Sequence, residues 1–334
     1  MFRVIKNMLI VIFIFPLHFW EAIIVVCWGL GEKIFLVLLV SSVLLSFLVA
    51  SLHAYVLEFD LNRAVNYLAK NYNSSYGLIP EVEGGNIFWV YSDNYLAYLV
   101  LKYFDPNNQT LVDIAENISR TLSYYSQTCD FKPLNKFNIL GGSIPYFNAS
   151  LTFNLTDYVR VDLNNGTDVL DPRSYGDVAF LMALYYYRLG EYKRANDYFE
   201  VGARMFDGVG INDLPYREGE AKGIYQTYKL GLYVAACKVL GKNIPNVVVE
   251  RIRSLQAPNG GFFTGYYANG TIPSGVVTNT ETTAIIVYAF SPQIIERFFT
   301  PQTSSSFFNF IYVILFLFLV AAVIIIIGII KSMR

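Results

Sequence analysis

The sequence predicts an all-α protein, anchored in a membrane on both sides of an extracytoplasmic domain built from paired helices. Three observations carry this. Apolar stretches long enough to cross ~30 Å of hydrocarbon as helices lie near both ends of the 334 residues. Between them, residues 54–306 repeat one pattern four times: an amphipathic helix, a Gly-rich connection and a more apolar helix. The composition is 54% hydrophobic and 16% aromatic, with 15% charged residues against the ~25% of an ordinary soluble chain. Disorder, a coiled coil and a cytosolic enzyme are set aside on that balance. The net charge of -1, with 24 acids and 20 bases in 54–306, offers no basic face for nucleic acid.

The first region, 1–53, holds two apolar segments, Met8–Leu30 and Ile34–Leu52, and a third, Phe307–Ile330, follows the central domain. Lys331 and Arg334 come directly after the third, so the positive-inside rule places the tail 331–334 in the cytoplasm and Phe307 outside. The central domain is then extracytoplasmic and the protein sits in the plasma membrane. The second segment runs outward from Lys33. The first contains Pro16, His18 and Glu21, and two arrangements stay open for it: a span with Arg3 and Lys6 outside, or a re-entrant hairpin turning at Pro16. Its apolar run is longer than a signal-peptide core and no small-x-small site closes it, so we expect it to be retained. Seven Asn-x-Ser/Thr sequons, at Asn73, Asn108, Asn117, Asn148, Asn154, Asn165 and Asn269, all fall in the central domain and agree with external placement and glycosylation. Cys27 lies in the first apolar segment, whereas Cys129 and Cys237 form a candidate disulfide pair.

Along the domain, the outer helices Leu61–Asn71, Leu111–Ser126, Tyr192–Phe206 and Val247–Leu255 carry charge on one face. The inner helices Tyr91–Tyr103, Arg173–Leu184, Tyr225–Cys237 and Val277–Phe290 are apolar almost all round, which requires burial on both sides. In each of these a polar residue stands five before a small one: Ser92 and Ala97, Ser174 and Ala179, Gln226 and Gly231, Asn279 and Ala284. Small residues let helices approach closely, and polar N-termini facing a shared space imply two concentric layers. The Gly-rich connections 77–88 and 260–275 would gather at one end.

The segment from Ser254 to Phe290, with Gly260-Gly261-Phe262 before the inner-helix run Thr278 to Ala284, resembles one hairpin of an α/α toroid, and Gly77 to Phe104 is similar in outline. Such toroids include six-hairpin glycosidases, certain polysaccharide lyases, terpenoid cyclases and lanthionine-synthesis cyclases. The resemblance implies a ring of four to six hairpins. Four pairs are legible, so either 127–170 hides a degenerate pair or the ring is incomplete.

His18 and His53 are the only histidines, so the domain from 54 onward has none. Ser-His-Asp and Cys-His triads and His-ligated zinc are excluded there, and no metal or cofactor is implied. Carboxylate chemistry remains. Asp93, Asp177 and Glu281 each stand in the first turn of an inner helix and are candidate catalytic acids for glycoside hydrolysis, which needs a proton donor and a second carboxylate. The ordinary role of an acid there is to cap free N–H groups and complement the helix dipole. Glu218 and Glu220 are loop carboxylates of the same end, or simply solvated. Trp89, Tyr91, Tyr225 and Tyr266 are candidate sugar platforms, while Tyr185, Tyr186 and Tyr187 read as packing. Two functions follow. One is a non-catalytic glycan- or protein-binding scaffold on the cell surface, with membrane lipid and an extracellular glycan or envelope protein as partners. The other is a carbohydrate-active enzyme acting on extracellular glycan.

Overall fold

The computed structural model describes residues 59–129, 135–219 and 221–300. The three apolar segments expected to enter the membrane, and Glu220, lie outside the described residues. Among the described residues no helix is long and apolar enough to cross a membrane. They are mostly helical. In chain order the elements are α1 (Leu61–Lys70), α2 (Tyr91–Tyr103), α3 (Gln109–Thr128), a 3-10 helix η1 (Lys136–Gly141), strands β1 (Asn148–Asn154) and β2 (Arg160–Val169), α4 (Gly176–Arg188), α5 (Tyr192–Ala203), the single turn α6 (Leu214–Arg217), β3 (Tyr225–Gln226), α7 (Thr227–Leu240), α8 (Asn246–Ser254), β4 (Gly265–Tyr266), α9 (Thr280–Phe290) and α10 (Pro292–Phe299).

Two layers follow from the difference between the apolar and the amphipathic helices. Every residue of α9 except Glu281 is buried, as is every residue of α7 except Tyr228 and Lys238. By contrast α1 buries one stripe, Ala64, Val65, Tyr67 and Leu68, and α8 buries only Val248 and Ile252. Within the inner layer α9 lies between α2 and α7, α7 adjoins α4, and η1 touches both α4 and α2, making a closed circuit of neighbours. Outside it, α3 backs α2, α5 backs α4, α8 lies on α7, and α1 covers α9 and α2. The small residues act as expected. Ala97, Ala179 and Ala284 are fully buried, and a Cβ on Gly231 would meet Ile285 Cγ2 at 2.8 Å and Ile286 Cδ1 at 3.0 Å, so that glycine sets the α7–α9 approach.

The pairing of the helices is corrected, and one choice that the sequence left open is narrowed. The connections that precede the inner helices are long, as expected, but the helices pair across the short links that follow them: Phe104–Asn108 joins α2 to α3, Leu189–Glu191 joins α4 to α5, Gly241–Pro245 joins α7 to α8, and Ser291 alone joins α9 to α10. Short links make antiparallel neighbours. The tight hairpins therefore run from inner to outer helix, and α1 is an outer helix that precedes them. Second, 127–170 holds no further pair of helices among the described residues. After α3 comes η1 and an antiparallel hairpin in which Leu151 faces Leu163 and Phe153 faces Val161, with a register shift between Asn148 and Ser150. Apolar and polar residues alternate through β1 and through Arg160 to Asn164 of β2, the period of a strand rather than of a helix.

Candidate functional site

All four inner helices point their N-termini to the same end, and the long connections are stitched to them there by first-turn polar side chains. Asn94 accepts from Ile79 N at 2.7 Å and donates to Ile79 O at 2.9 Å. The Thr280 hydroxyl donates to Pro80 O at 2.7 Å, while that of Thr283 accepts from Phe262 N at 3.0 Å. These bonds replace water on groups that burial would otherwise leave unpaired. They give most of the polar clusters an architectural role.

The carboxylates behave differently. None of Asp93, Asp177 and Glu281 caps its own helix: the N-cap positions of α2 and α4 are Val90 and Tyr175, without side-chain caps, and Asn279 caps α9 by accepting from Thr282 N. The capping expectation is therefore corrected. Instead they are linked in a chain: Asp177 and Glu281 both feel Lys136, at the start of η1, and Asp93 feels Glu281. The Lys136 ammonium pairs with Asp177 Oδ2, which also accepts from the Tyr228 hydroxyl at 3.1 Å. Alongside, Lys229 Nζ pairs with Asp213 Oδ2 at 2.5 Å, both side chains being 1% exposed, and Gly176 N donates to the same oxygen at 3.0 Å. Asp177 and Asp213 each keep a second oxygen, Oδ1, buried and without a hydrogen-bond partner.

Charge divides the acids into two states. Burial alone would raise Asp177, but Lys136 and Lys229 outweigh it and hold its carboxyl well below the usual range, so it is ionised. Burial, then the neighbouring Glu281, Glu81 and Asp162, push Asp93 well above its ordinary value, against one 3.4 Å hydrogen bond from the Ser92 hydroxyl. Glu281 is pushed up to about 7, chiefly by burial and next by Asp177, Asp162 and Glu81, with Lys136 opposing. Asp177 is thus held ionised by its lysine neighbours, while Glu281 and Asp93 are both shifted upward, Glu281 to about 7.

The space beside them is small. A cleft of about 60 Å³ is lined by Asn135, Lys136, Phe137, Tyr146, Asn148, Asp162 and Leu170, so η1, the β1–β2 hairpin and its flanks cover this end. That volume is well below the ~300–1,000 Å³ of clefts that take small ligands. The proposed platforms are also enclosed: Trp89 is 1% exposed, Tyr91 7%, Tyr225 3% and Tyr266 0%. Trp89 packs on Tyr76 at 4.8 Å, and Tyr225 stacks between Tyr216 and Tyr266 at 4.1 and 5.5 Å. All four are core residues, and none offers an open face; this corrects their reading as platforms. Glu218 is exposed, away from the buried group's pairing, as a solvated loop acid.

Cys129 is exposed and Cys237 buried in α7, both as free thiols, so the candidate disulfide is not formed. Among the sequons, Asn108, Asn154 and Asn269 are exposed, Asn73, Asn117 and Asn148 are half-buried, and Asn165 lies in β2. Among the described residues no group of His, Cys, Asp and Glu is arranged to hold a metal ion.

Sequence reasoning did not single out Lys136, Asp213, Tyr228 and Lys229. For Lys229 a signal existed: a lysine in the first turn of a helix that is apolar nearly all round must find a buried partner or cost several kcal/mol. Lys136 and Asp213 carry no comparable local pattern, since only the tertiary fold brings them to α4 and α7. Compared with known proteins, the chain matches no family model, no curated protein and no solved structure.

Proposed function

We propose that the chain is a plasma-membrane protein whose helical domain, on an α/α-toroid-like plan, stands outside the cell between flanking membrane segments and acts as a non-catalytic binding or scaffold module. One observation carries the non-catalytic part. Asp177 is consumed by its pairing with Lys136, and Asp93 and Glu281 repel one another beside a cleft of about 60 Å³. A glycosidase needs its acid pair across a space that admits a sugar and a water. The apolar flanks and the cluster of sequons support the placement; extracellular glycan or an envelope protein is the partner class.

A second reading has its own support. Glu281 near half-titration beside ionised Asp177 is the division of labour a proton donor and a carboxylate partner require. It makes the alternative a glycoside hydrolase whose cover opens. The test uses the full chain in detergent with a broad panel of extracellular oligosaccharides, following both binding and release of reducing ends. We expect no turnover. Turnover that Glu281→Gln or Asp93→Asn abolishes, with the melting transition retained, would reject the scaffold and establish the enzyme.

A further inference from the structure

A second depression lies away from the acid cluster. It has a volume of about 520 Å³ and is formed where the turn after α1 meets α3. Clefts that take small ligands run from ~300 to 1,000 Å³. Its walls combine open aromatic faces with hydrogen-bonding groups: Tyr76 is 38% exposed and Tyr124 62%, and Ser74, Ser75, Asn117 and Arg120 stand between them. Flat rings beside hydroxyl, amide and guanidinium groups suit a saccharide, whose C–H faces stack while its hydroxyls bond.

The walls are fixed before any ligand arrives. Tyr76 is held against Trp89 at 4.8 Å and Tyr158 at 5.4 Å. The turn is closed by Gly77 N donating to Asn73 O at 2.8 Å and by Ser75 N donating to Asn73 Oδ1 at 2.9 Å. Gly77 has φ +68°, and a Cβ there would come within 2.3 Å of Thr121 Oγ1. Glycine is thus required for the turn to lie against α3.

Asn117, which lines this groove, is the first residue of the sequon Asn117-Ile118-Ser119. We infer that the groove is the seat of the protein's own N-linked saccharide at Asn117, which folds back onto Tyr76 and Tyr124 instead of extending into solvent. Arg120 Nη2 donates to Asn117 Oδ1, whereas a glycan is carried on Nδ2, so the same amide can be oriented by the arginine and bear sugar. Attachment, on the chain before α3 winds, transfers the saccharide from a lipid-linked oligosaccharyl phosphate. The anomeric C–O bond to phosphate breaks, the lipid phosphate leaving with the electron pair, a C–N bond to Nδ2 forms, and the proton lost from the amide nitrogen passes to solvent. Asn269 provides the contrast. It is exposed in a turn closed by Thr271 N donating to its Oδ1 at 3.0 Å.

The inference rests on the external placement proposed above, and the test separates the two. Full-length protein from its native membrane is mapped by glycopeptide mass spectrometry, then treated while folded with an amidase that removes N-glycans. Release at Asn117 should be about tenfold slower than at Asn269, each tenfold reporting ~1.4 kcal/mol of holding free energy. The difference should vanish in denatured protein and in Tyr124→Ala, whose exposed ring makes its removal structurally mild, as an unchanged melting temperature would verify. Equal release at the two sites in folded protein, or a bare Asn117 beside a glycosylated Asn269, overturns the groove assignment alone. All seven sequons bare overturns this assignment and removes the sequon support for external placement as well.

Discussion

Lys229 and Asp213 form the least exposed ion pair in the domain's site, and removing one partner leaves the other charge stranded. Lys229→Met should destabilise the protein by about 3–5 kcal/mol, read by urea denaturation, and Lys229→Met with Asp213→Asn should recover most of that loss. Equal losses in the single and double variants would show that the pairing contributes little. Glu281 makes a prediction of opposite character. Its folded pKa of about 7 exceeds the ordinary 4.5, so between those values the folded state holds more protons than the unfolded one. Stability from this group is therefore fully present below pH 4.5 and is lost as pH rises through about 7. Asp93, also raised, adds a loss of the same sign, whereas Asp177, held low, contributes stability that disappears only in stronger acid. Melting temperature should fall from pH 5 towards pH 7.5, and Glu281→Gln should flatten that fall; an unchanged slope would contradict the assigned environment. Sequence placed Asp93, Asp177 and Glu281 in the right turns. It did not disclose their lysine partners, because pairing across 41 or 16 residues is set by packing and has no local signature.

At the level of elements, the close contact of α7 with α9 depends on Gly231. Gly231→Val should cost about 1–3 kcal/mol through overpacking, since the new atoms meet the β-branch of Ile285 close to its backbone as well as the tip of Ile286. A melting temperature within a degree of the parent would show that the interface is loose. Most helices were legible from periodicity: Tyr91–Tyr103 was recovered in full, and the outer helices to within a few residues at each end. Their pairing was less visible. The repeat was read from outer to inner helix because the polar cluster opening each inner helix is the conspicuous feature, yet neighbours are fixed by the short links at 104–108, 189–191, 241–245 and 291. The hairpin at 148–169 is legible only in part: Leu151, Phe153, Val161 and Leu163 follow a period of two, but the polar run from Asn164 to Asp168 interrupts it.

For the whole molecule, the proposed orientation makes Cys129 the informative residue, because it is exposed while Cys237 is buried. A membrane-impermeant maleimide applied to intact cells should label Cys129 and leave Cys237 unmodified until the protein is denatured. Labelling of Cys129 only by a permeant reagent would place the domain on the cytoplasmic side and end the surface-scaffold proposal. The sequence by itself determined the helical character, the two kinds of helix, the apolar flanks and the absence of histidine after residue 53, since each of these follows from composition and period along the chain. Only the tertiary structure decided which helices adjoin, that Trp89, Tyr91, Tyr225 and Tyr266 belong to the core, and that Asp177 and Glu281 gather about Lys136, with Asp93 beside Glu281, near a cleft of about 60 Å³. Burial and charge pairing depend on what distant segments bring to the same point, and that information exists only once the chain has closed on itself.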